Sequence, residues 1–360
     1  MSRSRFDTVQ DVPTSRKRKK SNRWLSVLFA LLIILVSLGA VVYYKTFGPN
    51  TGSFKTGEYL YIYTGDNYQD LLSTLEREGF VKDIVSFNLL AKQANLPNHV
   101  KAGRYKIQHG ENNYDLIRQL RSGKQAPVNI VINKVRTKQE LAGIIGRNLE
   151  ADSALFLEQI SNPEYLSEFD LDSNTLLTAI IPDTYEFYWN TSADRAFRRL
   201  EIYKHKFWNA DRLVKAAQKK LSPEKVSIIA SIVEEETNNN EEKPLIASVY
   251  MNRVRYGMKL QADPTVKFAV GDFTLRRILD IHLNHDSPYN TYMYFGYPPG
   301  PICTPSKTSI DAVLNAPETK YLYFCAKEDF SGSHSFASSY KQHLDNASKY
   351  HKALNERGIK

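Results

Sequence analysis

Three adjacent acids, Glu234, Glu235 and Glu236, pose the first chemical question in this sequence: which of them can work as an acid–base group rather than a solvated charge. Ser222-Pro223-Glu224 supplies an N-cap hydroxyl, a first-turn proline and a first-turn acid, so a helix is predicted to start there. Its apolar positions include Ile229, Ile232 and Val233. At about 100° per residue, Glu236 falls between Ile232 and Val233 on that stripe, whereas Glu234 and Glu235 point elsewhere. A carboxylate among apolar walls has its charged form disfavoured, which raises its pKa and suits it to act as a general acid at neutral pH. Periodicity leaves a second reading open, in which the helix ends near residue 236 and Glu236 is a solvated terminal residue.

A second helix is predicted after Pro244, with Leu245, Ile246, Val249 and Asn252 on one stripe and a stop at Gly257. Asn252 is either a satisfied core amide or a cleft residue that holds a ligand. Gln261 follows in the segment 258–266, and Asp263-Pro264 predicts an extended or turn conformation. Asp263 is the other candidate carboxylate, with a turn-capping role as its alternative. Ser287-Pro288-Tyr289-Asn290-Thr291-Tyr292 and Tyr297-Pro298-Pro299-Gly300-Pro301 are rich in rings, amides and prolines. Sugars are held by aromatic stacking plus hydrogen bonds to planar polar groups, so these loops read either as subsite walls or as plain proline-rich connections. His282 and His285 have a His-x-x-His spacing beside Asp286 but no convincing further ligands, so no metal site is expected. The sequence has no Gly-rich phosphate loop, Cys-x-x-Cys pair or Gly-x-Ser-x-Gly elbow, which weakens nucleotide, structural-zinc and hydrolase-elbow readings.

The elements that must position these groups belong to a 360-residue chain with 48 Lys plus Arg, 39 Asp plus Glu and a net charge of +9. At 42% hydrophobic and 24% charged the composition is globular. Eight basic residues and two acids in Met1–Arg23 give +6, which leaves only +3 for the rest. Directly after them, residues 24–44 run for twenty-one positions without a charge, long enough to cross a bilayer core. Trp24, Tyr43 and Tyr44 fit the interfacial belts, and the run exceeds a signal peptide's apolar core. The basic tail is therefore read as a topology signal and not as a nucleic-acid site. It keeps the N-terminus cytoplasmic and exports residues from about 46 onward. Cys303 and Cys325 can pair in an oxidising compartment, but two residues define no framework and pairing stays open.

One repeat is visible, residues 65–72 against 110–117, each copy a Tyr-containing alternating run, a turn and an amphipathic segment. Residues 128–132 followed by 137–149 form a third, looser strand and helix. The expected architecture is α+β. It comprises a basic cytoplasmic tail (1–23), a single N-terminal transmembrane helix (24–44), a small LysM-like α/β module (52–126), a connecting α/β region (127–220) and a mixed helical and β catalytic domain (221–353).

Residues 230–237, 247–258 and 260–266 resemble the endolytic murein transglycosylase (MltG, YceG-like) family in order and spacing. The likeness extends through the Ser287–Thr291 loop, Pro298-Pro299-Gly300-Pro301, Tyr321–Phe324 and His334-Ser335-Phe336, and back to Pro182-Asp183-Thr184-Tyr185 and the LysM-like module. The family pattern S-I-[IV]-E-K-E-T places its catalytic second Glu at Glu236; this chain departs from it with Glu235 where Lys is usual. The resemblance implies a peptidoglycan lytic transglycosylase, a lyase, that cleaves the MurNAc–GlcNAc β-1,4 bond and leaves a 1,6-anhydroMurNAc end. Glu236 would act as acid and then as base, with Asn252, Gln261, Asp263, Tyr289, Asn290 and Tyr292 as substrate-binding candidates and no cofactor. The implied partners are glycan strands, the cell inner membrane through one helix, and peptidoglycan synthases, with no nucleic acid. Two rivals stand beside this reading: a hydrolytic muramidase using Asp263 as second carboxylate, and a non-catalytic wall-binding scaffold.

Overall fold

The computed structural model describes residues 23–52, 54, 58–275 and 277–357. The basic tail expected over residues 1–23 lies outside them except for Arg23. The chain divides into two compact units, one of residues 1–60, 67–100 and 107–123, the other of residues 61–66, 101–106 and 124–360.

The first unit begins with α1 (Arg23–Phe47), whose 25 residues include none that is buried. At about 1.5 Å per residue α1 is about 37 Å long, against a bilayer core of roughly 30 Å. The polar segment after it is tied to the unit by amides. Asn50 donates to Asn113 Oδ1 at 2.7 Å, and Asn113 donates to the Lys45 carbonyl at 2.8 Å. Both asparagines are buried, so each hydrogen bond also avoids the cost of an unpaired amide. The two repeats fold as strand, turn and capped helix, with β1 (Tyr59–Ile62) leading to α2 (Tyr68–Arg77). A capping box between Asn67 and Asp70 opens α2. The same unit holds α3 (Ile84–Gln93) and α4 (Asn113–Ser122), the latter capped by Asn112 onto the Asp115 amide, whereas the strand between them in sequence, β2 (Gly103–Lys106), falls among the second unit's residues. Strands β1 and β2 form a two-stranded sheet.

The second unit has two cores. The first surrounds the antiparallel pair β3 (Val128–Ile132) and β4 (Asp183–Phe187), in register from Val128 opposite Phe187 to Ile132 opposite Asp183. Alternation puts Val128, Ile130 and Ile132 on the buried face. There they meet α5 (Lys138–Asn148), α6 (Ser153–Gln159), α7 (Pro163–Ser167) and α8 (Ala193–Phe207) through side chains such as Leu141, Phe156, Leu166 and Phe197. Asp183, at the edge of β4, accepts hydrogen bonds from Tyr203 and Lys307, and the Lys307 ammonium pulls its carboxyl down to about 2.

The second core is helical. Helix α9 (Ala210–Gln218) precedes α10 (Pro223–Glu236), which is buried continuously from Val226 to Val233. Against α10 pack α11 (Lys243–Arg255) and α14 (Lys307–Leu314), with Ile229, Ile232, Ile246, Ile310 and Val313 in one cluster. Two further helices, α12 (Asp263–Val270) and α13 (Asp280–Leu283), carry the chain past the end of α10. The hairpin of β5 (Tyr323–Ala326) and β6 (His334–Ala337) and the terminal α15 (Tyr340–Glu356) close the unit. Glu242, the residue before α11, accepts from both the backbone N–H and the ring of His334, joining β6 to α11. Cys303 and Cys325 are free thiols.

The Asp263-Pro264 step differs from expectation. Ala262 is the extended residue and α12 already begins at Asp263. A proline in the first helical turn loses no intrahelical bond, because first-turn amides have no partner within the helix.

Candidate active site

Helix α10 starts as its sequence requires, with the Ser222 hydroxyl accepting from the Lys225 amide and Pro223 in the first turn. It ends at Glu236, and Thr237 turns extended. The helix therefore stops where the solvated reading placed its end, yet Glu236 is only partly exposed. Its side chain lines a cavity of about 420 Å³.

That cavity is lined by Glu236, Tyr250, Arg253, Gln261, Asp263 and Tyr292, with Leu260, Phe324 and His343 completing its wall. Tyr250 donates its hydroxyl to Glu236 Oε1 at 2.6 Å. Desolvation pushes the Glu236 carboxyl up to about 7, and the charges of Asp263 and Glu235 act in the same direction. The Tyr250 hydrogen bond and the charge of Lys267 oppose them and do not prevail. Burial and the facing carboxylate also raise the Tyr250 phenol well above its ordinary value, so it remains a donor at any physiological pH.

The opposite wall is built differently. Tyr292 donates to Asp263 Oδ1 at 2.6 Å, and burial followed by that hydrogen bond raises its phenol. Gln261 sits at φ +49°, in the left-handed region, with its amide on the Thr291 carbonyl at 3.1 Å. Left-handed geometry is costly for a residue with a side chain, and here a fixed loop holds it. Arg253 spans the cavity floor, donating to the carbonyls of Leu322 (2.7 Å) and Leu260 (2.9 Å) and to Gln261 Oε1 (3.2 Å). Its guanidinium lies 5.2 Å from the Tyr323 ring, on which His343 of α15 also stacks at 5.2 Å.

The structure thus brings Glu236, Gln261, Asp263 and Tyr292 to one cavity, and does not bring Asn252, Tyr289 or Asn290 to its lining. Asn252 is a satisfied buried amide. It donates to the carbonyls of Thr319 and Tyr321, both at 3.0 Å, and accepts from Arg255. Asn290, fully buried, holds its own loop by donating to the Leu283 and His285 carbonyls and accepting from the Tyr292 amide. Tyr289 packs its ring on Phe268 at 4.6 Å and reaches Asn174 with its hydroxyl.

Tyr250, Arg253, Phe324 and His343 were not assigned from sequence. Tyr250 and Arg253 lie four and seven positions after Ile246, a second stripe of the same kind as the one holding Asn252. Helix α11 is buried on several sides, Ile246 through Tyr250 without interruption, so two polar-ended stripes compete and only the fold chooses between them.

A model of the YceG-like family matches residues 60–349. The chain belongs to the YceG-like family. Among relatives in the family, an endolytic murein transglycosylase of Bacillus subtilis is 27% identical over 344 residues, covering 90% of this chain and 93% of that protein. Two endolytic murein transglycosylases of Streptococcus pneumoniae, from strains D39 and R6, are 28% identical over 329 and 318 residues. The chain matches 57% of their length, just over half. A crystal structure of a YceG-like protein from Listeria monocytogenes superposes with a TM-score of 0.53 at 27% identity, covering 80% of this chain and 98% of that one.

Proposed function

We propose that this chain is a membrane-anchored endolytic peptidoglycan lytic transglycosylase that cuts the MurNAc–GlcNAc β-1,4 bond of nascent strands and so sets glycan length. The observation that carries the reading is the Glu236 carboxyl, held near neutral pKa in the wall of a cavity that also presents an amide, a second carboxylate and phenols. The name shared by its relatives points the same way. Protonated Glu236 gives its proton to the glycosidic oxygen, and the C1–O bond breaks as positive charge develops at C1. The resulting carboxylate takes the proton of the C6 hydroxyl of the same MurNAc, and O6 bonds to C1. One group serves both steps and no water is consumed. A carboxyl titrating near 7 is matched to both halves of that cycle. Tyr250 keeps it oriented, while Gln261, Asp263 and Tyr292 are the groups available to hold sugar hydroxyls and the acetamide. Asn252, Tyr289 and Asn290 serve the loops behind them.

Helix α1 is proposed as a single-pass inner-membrane anchor with a cytoplasmic N-terminus and a periplasmic or extracytoplasmic catalytic part. The two strand–helix repeats, residues 59–77 and 103–122, support a LysM-like hold on glycan, and peptidoglycan synthases are the natural partners of an enzyme that trims nascent strands. A hydrolytic second reading has one observation in its favour, because Asp263 shares the cavity and can activate water or act as a nucleophile. Muropeptide mass spectrometry of intact sacculi treated with wild type and Glu236→Gln separates them. Anhydro ends that vanish in the variant support the lytic reading. Hydrated reducing ends favour hydrolysis, and persistent cleavage by the variant removes Glu236 from the mechanism.

A further inference from the structure

Outside α1, the exposed large apolar side chains among the described residues of the first unit are three: Val85 (76% exposed), Leu89 (62%) and Tyr114 (49%). Val85 and Leu89 lie one turn apart on α3, and Tyr114 is in the first turn of α4. The same two helices and the end of α1 enclose a hollow of about 590 Å³, lined by Thr46, Leu90, Ala94, Ile117, Arg118 and Arg121. That volume lies within the usual range of ligand pockets. Leu90, Ala94 and Ile117 give the lining its apolar part. Helix α4 adds two guanidinium groups to it, of which Arg118 pairs with Asp115 at 3.1 Å and Arg121 has no ion-pair partner among the described residues.

The depth of this hollow relative to α1 is fixed. Thr46 is two residues, about 3 Å, beyond Tyr44 along the helix axis, while the headgroup layer adds about 5 to 7 Å outside the hydrocarbon core. Three contacts hold the unit to that end of α1: Asn113 on the Lys45 carbonyl at 2.8 Å, the Lys45–Asp83 ion pair at 2.5 Å, and the Phe47 and Tyr114 rings at 5.5 Å. With α1 read as a membrane span, apolar walls, two arginines and exposed apolar neighbours therefore stand together at the level of lipid phosphates and the first methylenes of acyl chains. Snorkelling arginines and interfacial tyrosines favour the same layer.

We propose that this hollow binds an anionic phospholipid of the extracytoplasmic leaflet, its phosphate on Arg118 and Arg121 and its glycerol and upper acyl carbons against Leu90, Ala94 and Ile117. The bound lipid would seat the first unit on the membrane surface and fix its orientation beside the anchor. The proposal rests on the reading of α1 as a membrane span. The test uses the full chain in nanodiscs of mixed phosphatidylglycerol and phosphatidylcholine, followed by gentle extraction and native mass spectrometry of retained lipid. Phosphatidylglycerol adducts are expected to exceed phosphatidylcholine adducts at least tenfold, with the preference lost in the Arg118→Gln/Arg121→Gln double variant and kept in Lys92→Gln, a charge change on α3 outside the hollow. Equal retention of the two lipids, or an unchanged preference in the double variant, overturns the proposal. Displacement of the lipid by soluble glycerol 3-phosphate at equal concentration would mark a site for soluble anions and overturn it as well. Alkaline carbonate extraction of the same membranes reports on the anchor separately: a chain released by carbonate overturns the anchor and the lipid site together, whereas a retained chain without lipid preference overturns the lipid site alone.

Discussion

Replacing Glu236 by Gln removes the carboxyl while keeping the side-chain shape and an acceptor for the Tyr250 hydroxyl. In the folded protein this carboxyl titrates near 7 instead of its ordinary 4.5, chiefly because it is desolvated. At roughly 1.4 kcal/mol per tenfold change in proton affinity, that difference is worth about 3 kcal/mol. Water in the cavity screens part of it, so the figure is an upper bound. The folded value is the raised one: the unfolded chain gives up this proton near pH 4.5 and the folded chain near pH 7. Between those values the folded state binds more protons, and the contribution of Glu236 to stability falls as pH rises. Below about 4.5 both states are protonated, and wild type and variant differ by a constant. Above about 7 wild type carries the full cost of a buried charge and the amide carries none. Urea unfolding of the full chain in mild detergent at pH 4.5, 6, 7 and 8 should therefore show Glu236→Gln gaining on wild type by up to about 3 kcal/mol across that range. A difference that stays flat with pH would mean that Glu236 is an ordinary solvated acid, and the argument for a neutral-pH general acid would fall with it.

Two substitutions should move the same group in opposite directions. Tyr250→Phe removes the hydrogen bond that favours the carboxylate, so the limb of kcat/KM that falls as the acid deprotonates near pH 7 should shift to higher pH. Asp263→Asn removes a charge that disfavours the carboxylate, so the limb should shift to lower pH; pH–rate profiles on isolated glycan strands check both, and shifts of the same sign would contradict the electrostatic assignment. Asn252→Ala should act on stability, because it strips partners from the Thr319 and Tyr321 carbonyls, each worth about 1–3 kcal/mol when left unsatisfied. A variant of unchanged thermal stability and raised KM would return Asn252 to the substrate.

Much of this was legible in the sequence wherever a local rule governs. The caps at Asn67, Asn112 and Ser222 start helices because each side chain satisfies a first-turn amide whatever the distant packing. The strand at 128–132 could be read from its alternation, but its partner, 183–187, lies some fifty residues away, and no local rule pairs the two. The stripe argument chose Glu236 because only one of three consecutive acids can share a face with Ile229. At Asn252 the stripe left a core amide and a cleft residue both open, because α11 is buried on more than one side and a polar residue on a buried face finds partners in the core as readily as in a cleft; the carbonyls of Thr319 and Tyr321 decide for the core amide. The loop at 287–292 carried the right residue types in an order that periodicity cannot resolve. A buried Asn290 turns Tyr292 toward the cavity and Tyr289 away from it, and that choice depends on carbonyls at 283 and 285.

The departure at Glu235 can be understood through the three acids together. Burial alone would raise the carboxyls of Glu234 and Glu235, yet both are held below the ordinary range. Glu234 accepts from the hydroxyls of Ser306 and Ser309 at the N-terminus of α14 and pairs with Lys243 at 3.3 Å. Helix dipole, hydroxyls and ammonium all favour its charge. Glu235 takes a Lys134 ammonium at 2.9 Å and an Arg136 guanidinium at 3.0 Å, so the charge where the family usually has Lys is met by two cations and reaches Glu236 as its weakest perturbation. Glu236 receives a phenol hydrogen bond and the weaker pull of the Lys267 charge, and desolvation prevails. Because successive helix positions rotate by about 100°, three neighbouring carboxyls face three environments, and only one is left able to hold a proton at neutral pH. Glu235 can replace Lys without creating a second acid in the cavity because Lys134 and Arg136 absorb its charge on another face. Removing those two cations should therefore disturb Glu235 first and Glu236 only slightly.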